Sequence, residues 1–306
     1  MDQRIKAAWD EIPYFAGKDI ASHSFDRLGG LTNLVYRVTD GDEAIILRIP
    51  GEGTEDYIDR AVEAHNAHVA ADAGVSAEVI YANPDNGIML SRYLDGCETM
   101  TPETFPSTIG APARAGEVLR QLHSSGMTFE FRFELFSMID DYLGILDKLG
   151  AELPEGYHDV VREAEDVRAA LDVQPTALAP CHCDPLCENF LDNGERMWVV
   201  DWEYSGMNDP MWDLGDLSVE AGFSDAHDRE MMEAYCGGAP SDAEYGRMVI
   251  YKAMSDLLWT LWGLIQHANK NPVDDFWMYA TNRFARCKTL MADPAFGRHV
   301  SAIRKG

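Results

Sequence analysis

The sequence predicts an α+β chain of two lobes, a small β-rich one over residues 1–93 and a larger, mostly helical one over 94–306. Three observations carry this reading. Short alternating apolar runs, separated by Gly, Asn and Asp turns, fill the first ninety residues. Beyond Leu94 the apolar residues recur at helical spacing over long segments. One β-rich interruption, over 177–201, breaks that helical run.

Taken in order, residues 25–28 and 34–38 read as strands on either side of a glycine-containing turn. Asp40-Gly41-Asp42 has hairpin-turn chemistry and leads into a strand over 44–49. Ile58, Val62, His65 and Val69 line one face of a helix over 55–73. Strands over 78–81 and 88–93 flank the turn Asn83-Pro84-Asp85-Asn86-Gly87. Helical patterns then cover 113–124, 136–149, 157–171, 242–267 and 274–291. Inside the β-rich interruption, Asp192-Asn193-Gly194 turns Phe190-Leu191 back onto Trp198-Val199-Val200.

Bulk properties exclude more than they identify. With 306 residues, 46% of them hydrophobic and 25% charged, the chain has the composition of a globular enzyme. Its uninterrupted apolar runs are too short to predict a membrane span, and residues 1–6 lack the apolar core of a signal peptide. The expected compartment is the cytoplasm, with no membrane insertion. Against 25 basic residues stand 52 acidic ones, a net charge of −27. Such a surface repels nucleic-acid phosphates and anionic lipid headgroups; it serves solubility first, and it also suits a small cationic partner. Six cysteines without an export signal predict reduced thiols.

Chemistry concentrates in one stretch. His182-Cys183-Asp184-Pro185-Leu186-Cys187-Glu188-Asn189 reads H-x-D-x-x-x-x-N. Phosphoryl transfer needs a carboxylate to orient the attacking hydroxyl and oxygen ligands for a metal ion. Asp184 suits the first role and Asn189 the second. Twelve residues on, Asp201 ends an apolar strand, where a further metal ligand is expected. Cys181, Cys183 and Cys187 do not follow zinc spacings, and neighbouring strand side chains point to opposite faces. His182 is expected to pack beneath the loop and bond to its backbone. Trp259 and Trp262, three apart on an apolar helix, suit core packing by burial tendency. They also suit a quaternary ammonium, which offers no ordinary hydrogen bond and is held by aromatic faces.

Through these residues the chain resembles the choline/ethanolamine kinase family, within the aminoglycoside phosphotransferase-like group that shares the protein-kinase fold. The wider likeness lies in the H-x-D-x-x-x-x-N segment and Asp201. The narrower one lies in Asp201-Trp202-Glu203-Tyr204-Ser205-Gly206-Met207-Asn208-Asp209-Pro210 and Trp212-Asp213-Leu214-Gly215. Gly29-Gly30-Leu31-Thr32-Asn33 and Leu47-Arg48-Ile49-Pro50-Gly51 support it, and the likeness runs from about residue 28 to about 284.

The resemblance implies a protein-kinase-like fold, ATP and Mg²⁺ as cofactors, and choline as acceptor. Ethanolamine, an aminoglycoside or another hydroxylated amine remain alternatives. By the same resemblance Asp184 is the catalytic aspartate, and Asn189 and Asp201 are Mg²⁺ ligands. Gly29, Gly30, Thr32 and Asn33 belong to a turn covering the phosphates. Arg48 stands where protein kinases carry a lysine, with Glu63 as partner, and Arg92 and Leu94 mark the hinge beside the adenine. Trp259, Trp262, Tyr279 and Phe223 are the implied aromatic walls, and Glu220 the carboxylate. A catalytically silent kinase-fold protein would lack Asp184, Asn189 or Asp201, and all three are here. Cys183 and Cys187 depart from many relatives and place thiols beside the metal site, where oxidation is an expectation.

Overall fold

Helix α1 (Gln3–Glu11) opens the chain, capped by the Asp2 side chain, which accepts from the Arg4 N–H. This is a computed structural model, and it describes residues 2–29, 33–41, 43–51 and 58–306. Strands β1 (Ser24–Arg27), β2 (Leu34–Asp40) and β3 (Glu43–Ile49) follow. Next come helix α2 (Arg60–Asp72) and strands β4 (Val79–Ala82) and β5 (Met89–Arg92). The strands form one antiparallel sheet in the order β1-β2-β3-β5-β4.

Period-two alternation builds this layer. Tyr36 and Val38 on β2 and Ile45, Leu47 and Ile49 on β3 face Ile5, Trp9, Ile12 and Phe15 in one core. Arg48, between Leu47 and Ile49, therefore points to the other face, where α2 lies. The helix expected over 55–73 begins at Arg60 in the described residues, and Asp59 caps it by accepting from the N–H groups of Ala61 and Val62. Of the expected hairpin turn, Asp42 lies outside the described residues, and Gly41 takes φ +62°.

The larger region contains β6 (Glu98–Thr99), α3 (Ala111–His123), α4 (Leu135–Leu149), α5 (Tyr157–Val173) and β7 (Ala179–Cys181). It continues with β8 (Phe190–Asp192), β9 (Met197–Val199), β10 (Gly206–Asn208), α6 (Met211–Glu220) and α7 (Asp225–Cys236). It closes with α8 (Asp242–Ala268), α9 (Phe276–Ala292) and α10 (Phe296–Lys305). Strand β6 pairs with β8, and β8 with β9, while β7 pairs with β10. These two small sheets hold the H-x-D-x-x-x-x-N loop between β7 and β8.

Helix α8 is the axis of the helical region and packs against α4, α6, α9 and α10. By length and composition it would pass for a membrane span, contrary to the expectation from apolar runs. Its most apolar window is 83% buried within the protein, so it is a core helix here. The sequence pattern had not marked α1, α6, α7 and α10. In α6 every residue from Met211 to Val219 is buried, which erases the one-sided periodicity that identifies a helix.

Candidate active site

The loop after β7 is fixed by a carboxylate beneath it. Asp213, on the first turn of α6 and fully buried, accepts the His182 N–H at 2.7 Å and the Cys183 N–H at 2.8 Å. His123 Nε2 lies 3.0 Å from the same carboxylate, and its Nδ1 lies 3.0 Å from the Tyr235 hydroxyl. Trp212 Nε1 donates to the Cys183 carbonyl at 2.9 Å. Cys183 itself takes φ +67°, a left-handed turn unusual for a side chain with a Cβ. His182 packs beneath as expected, its Nε2 2.9 Å from the Val200 carbonyl and its ring 4.8 Å from that of Trp202. Burial lowers the His182 pKa, so the ring is neutral and bonds to that carbonyl as an N–H donor.

So anchored, the loop presents Asp184 half-buried. Burial raises its carboxyl well above the usual range, and the charges of Asp216, Glu220, Glu203 and Asp201 raise it further. Asn189 Nδ2 donates to the Asp184 carbonyl at 3.1 Å, which leaves the Asn189 side-chain oxygen available. The Val200 N–H donates to the Asn189 carbonyl at 3.0 Å and sets Asn189 beside Asp201. Asp201 follows at φ +69°, so its carboxylate swings away from the β9 direction.

One end of the site is a chain of alternating charges. Arg48 Nη1 donates to Asp201 Oδ1 at 2.8 Å, and its Nη2 pairs with Glu63. Arg60 donates to the other Glu63 oxygen at 2.7 Å and lies 3.5 Å from Glu203. Asn33 Nδ2 donates to the same Glu203 oxygen at 3.1 Å. The expected Arg48–Glu63 pair is thus present. Burial pushes the Glu203 carboxyl up to about 7, helped by the nearby Asp201.

The phosphate turn is only partly visible. Gly30 and Thr32 lie outside the described residues, Gly29 is exposed, and Asn33 is buried with its side chain committed to Glu203 and the Gly51 N–H. Arg92 is exposed at the end of β5 and donates to Glu78 at 3.1 Å, and Leu94 is half-buried just beyond.

The other end is aromatic. The Trp259 ring lies 5.5 Å from that of Tyr204 and 6.5 Å from that of Trp262. Trp262 lies 5.7 Å from Tyr279, and its Nε1 donates to the Tyr204 hydroxyl at 2.9 Å. Trp259 Nε1 donates to Asp216 at 3.0 Å. Glu220 is ion-paired with Arg283, whose guanidinium lies 4.7 Å over the Tyr279 ring. Phe223 is not in this ring set. It is buried against Phe105 and His227, at 5.4 and 5.5 Å, so its place as a pocket wall is corrected to core packing. Tyr204, not singled out in the sequence, is the further ring of the cluster.

A comparison with protein families identifies the chain. The model of the phosphotransferase enzyme family matches residues 26–249. The chain belongs to that family. A choline/ethanolamine kinase family protein from Mesorhizobium loti is 60% identical, with 99% of each chain covered and a TM-score of 0.91. The choline kinase LicA from Streptococcus pneumoniae is 27% identical, covering 88% of this chain and 93% of that one, with a TM-score of 0.73. Ethanolamine kinase 2 of Mus musculus is 25% identical over 285 residues, covering 83% of this chain and 72% of the relative. The protein is therefore a phosphotransferase of the choline/ethanolamine kinase family with a kinase-like fold.

In this phosphotransferase the donor set at the phosphate end fits a hard divalent cation. Carboxylate oxygens of Glu63, Asp201 and Glu203 lie within 4.8 Å of one another. Its cysteines do not act as expected. Cys183 and Cys187 are buried in the core, and burial pushes both thiols up, away from the reactive thiolate.

Proposed function

We propose that this phosphotransferase moves the γ-phosphoryl group of ATP onto the hydroxyl of a small cationic amino alcohol, with choline as the acceptor. One observation carries the reading: the loop carboxylate Asp184 stands close enough to feel the acids of both ends of the site. Asp216 and Glu220, beside the rings, and Glu203 and Asp201, at the phosphate end, all act on the Asp184 charge. An acceptor whose ammonium rests on the rings has its hydroxyl directed toward Asp184. Asp184 orients that hydroxyl and takes its proton as the new P–O bond forms and the bond from the γ-phosphorus to the ADP oxygen breaks.

Asn189 and Asp201 would hold Mg²⁺, which when bound neutralises charge on the transferring phosphoryl group. Arg48 fixes one Asp201 oxygen, so the other is turned to the ligand side. ATP as donor is supported by the likeness to LicA, which is known in complex with AMP. The proposed compartment is the cytoplasm, where ATP is plentiful. The test is ADP release with ATP and Mg²⁺ across choline, ethanolamine, thiamine and aminoglycosides. Release that rises with choline supports the reading, and release indifferent to every amine overturns it.

A further inference from the structure

Asp216 is a buried acid to which the reaction described above gives no bond with the substrate. It lies on α6, one turn before Glu220, and is 1% exposed. Its Oδ2 accepts from Trp259 Nε1 at 3.0 Å, whereas its Oδ1 has no partner among the described residues. Buried carboxylate oxygens are nearly always hydrogen-bonded, so an orphan beside a binding cluster calls for a ligand atom.

The neighbouring acids are already compensated. Glu220 pairs with Arg283, and Arg283 also reaches Asp256 at 3.2 Å. Asp256 is further held by two bonds of 2.7 Å from Arg286. Fixed arginines thus answer these acids, and Asp216 keeps an oxygen to spare.

Aromatic faces attract any ammonium, whether or not it carries hydrogen. A free carboxylate oxygen discriminates, because a protonated amine donates an N–H to it and a quaternary nitrogen has none to give. The geometry points to Asp216 as the residue that sets amine selectivity, its Oδ1 accepting an N–H of the substrate ammonium. This rests on the reading that the ring cluster holds the cationic end. It makes Asp216 the residue that tells an acceptor with at least one N–H from a quaternary one, a distinction the rings alone do not draw.

The charge state supports it. Burial pushes the Asp216 carboxyl up to about 8, the Glu220 charge adding to this and Arg283 opposing it. Asp256 and Trp259 on α8, Arg283 and Tyr279 on α9, and Asp184 on the loop are the other groups acting on or sharing this site. An arriving ammonium favours the ionised form, so its affinity rises as pH rises through about 8.

Asp216→Asn tests the assignment. The amide oxygen still accepts from Trp259, but the remaining atom becomes a donor and faces the ammonium with N–H groups. In the full chain with ATP and Mg²⁺, KM for ethanolamine should rise at least about tenfold more than KM for choline. An equal rise for both amines, or none for either, overturns the proposal. Should the variant fail to fold, the wild-type protein decides. Its ratio of ethanolamine KM to choline KM should fall between about pH 6 and about pH 8.5, and a constant ratio overturns the proposal. Wild-type protein that turns over neither amine refutes the underlying functional reading instead.

Discussion

The two ends of the active site handle charge in opposite ways. At the phosphate end, Asp201, Glu63 and Glu203 alternate with Arg48 and Arg60 in a chain of ion pairs that reaches Asn33 across 170 positions of sequence. At the amine end, Trp259, Trp262, Tyr204 and Tyr279 form one ring cluster, and Trp259 bonds Asp216, whose other oxygen has no partner among the described residues. The first end ties β3, α2 and the segment after β9 into one rigid frame. The second end is held by packing and leaves a buried acid for the substrate to answer. A reaction that is the same for every acceptor is served by the first arrangement, and choice among acceptors by the second.

The contrast can be broken at its middle, where the largest effect is expected. Asp184→Ala should lower kcat by about a thousandfold, read as amine-dependent ADP release. It also removes a carboxylate crowded by like charges, so the thermal midpoint should hold or rise. Arg48→Ala should act mainly on stability. It leaves buried Glu63 with Arg60 alone, and urea unfolding should show a loss of about 2–4 kcal/mol.

At the amine end, Trp262→Ala removes one ring and the donor to Tyr204. KM for choline should rise about tenfold, with KM for ATP within about twofold. Level values for both would show that the rings only pack. The smallest effect belongs to the thiols. Cys97 and Cys236, half-exposed, should react with a thiol reagent in the folded protein, whereas Cys181, Cys183 and Cys187 should not. Peptide mass mapping reads this, and early labelling of Cys187 would contradict its burial.

Much of the phosphate end was legible in the sequence. The H-x-D-x-x-x-x-N spacing and Asp201 belong to a local loop and hairpin, where sequence distance and spatial distance agree. Arg48 and Glu63 could be paired because a strand followed by a helix brings them face to face. Arg60, Glu203 and Asp213 were less visible, since their roles depend on contacts made across the fold. Asp213 stood in a quoted motif, yet its function, gathering two loop N–H groups, appears only when α6 is docked beneath the loop. Asp216 left no signal at all: in a chain with 52 acids, only burial and a missing partner distinguish it. Phe223 misled for a related reason: counting forward from Asp213 runs past the end of α6, where the connecting segment packs the ring on Phe105 and His227.

Helix α8 carries Arg247 to Asp209, Lys252 to Asp228, Asp256 to Arg283 and Arg286, and then Trp259 and Trp262 to the amine site. All these contacts are carried by one continuous helix, so one inserted or deleted residue would rotate everything downstream by about 100°. Length variation should therefore be purged along this segment while single exchanges are absorbed. Length changes should instead collect beyond its end, in the polar stretch 269–275, where the backbone has already left the helix. The amine site thus inherits its reading frame from a helix that also anchors α6, α7 and α9.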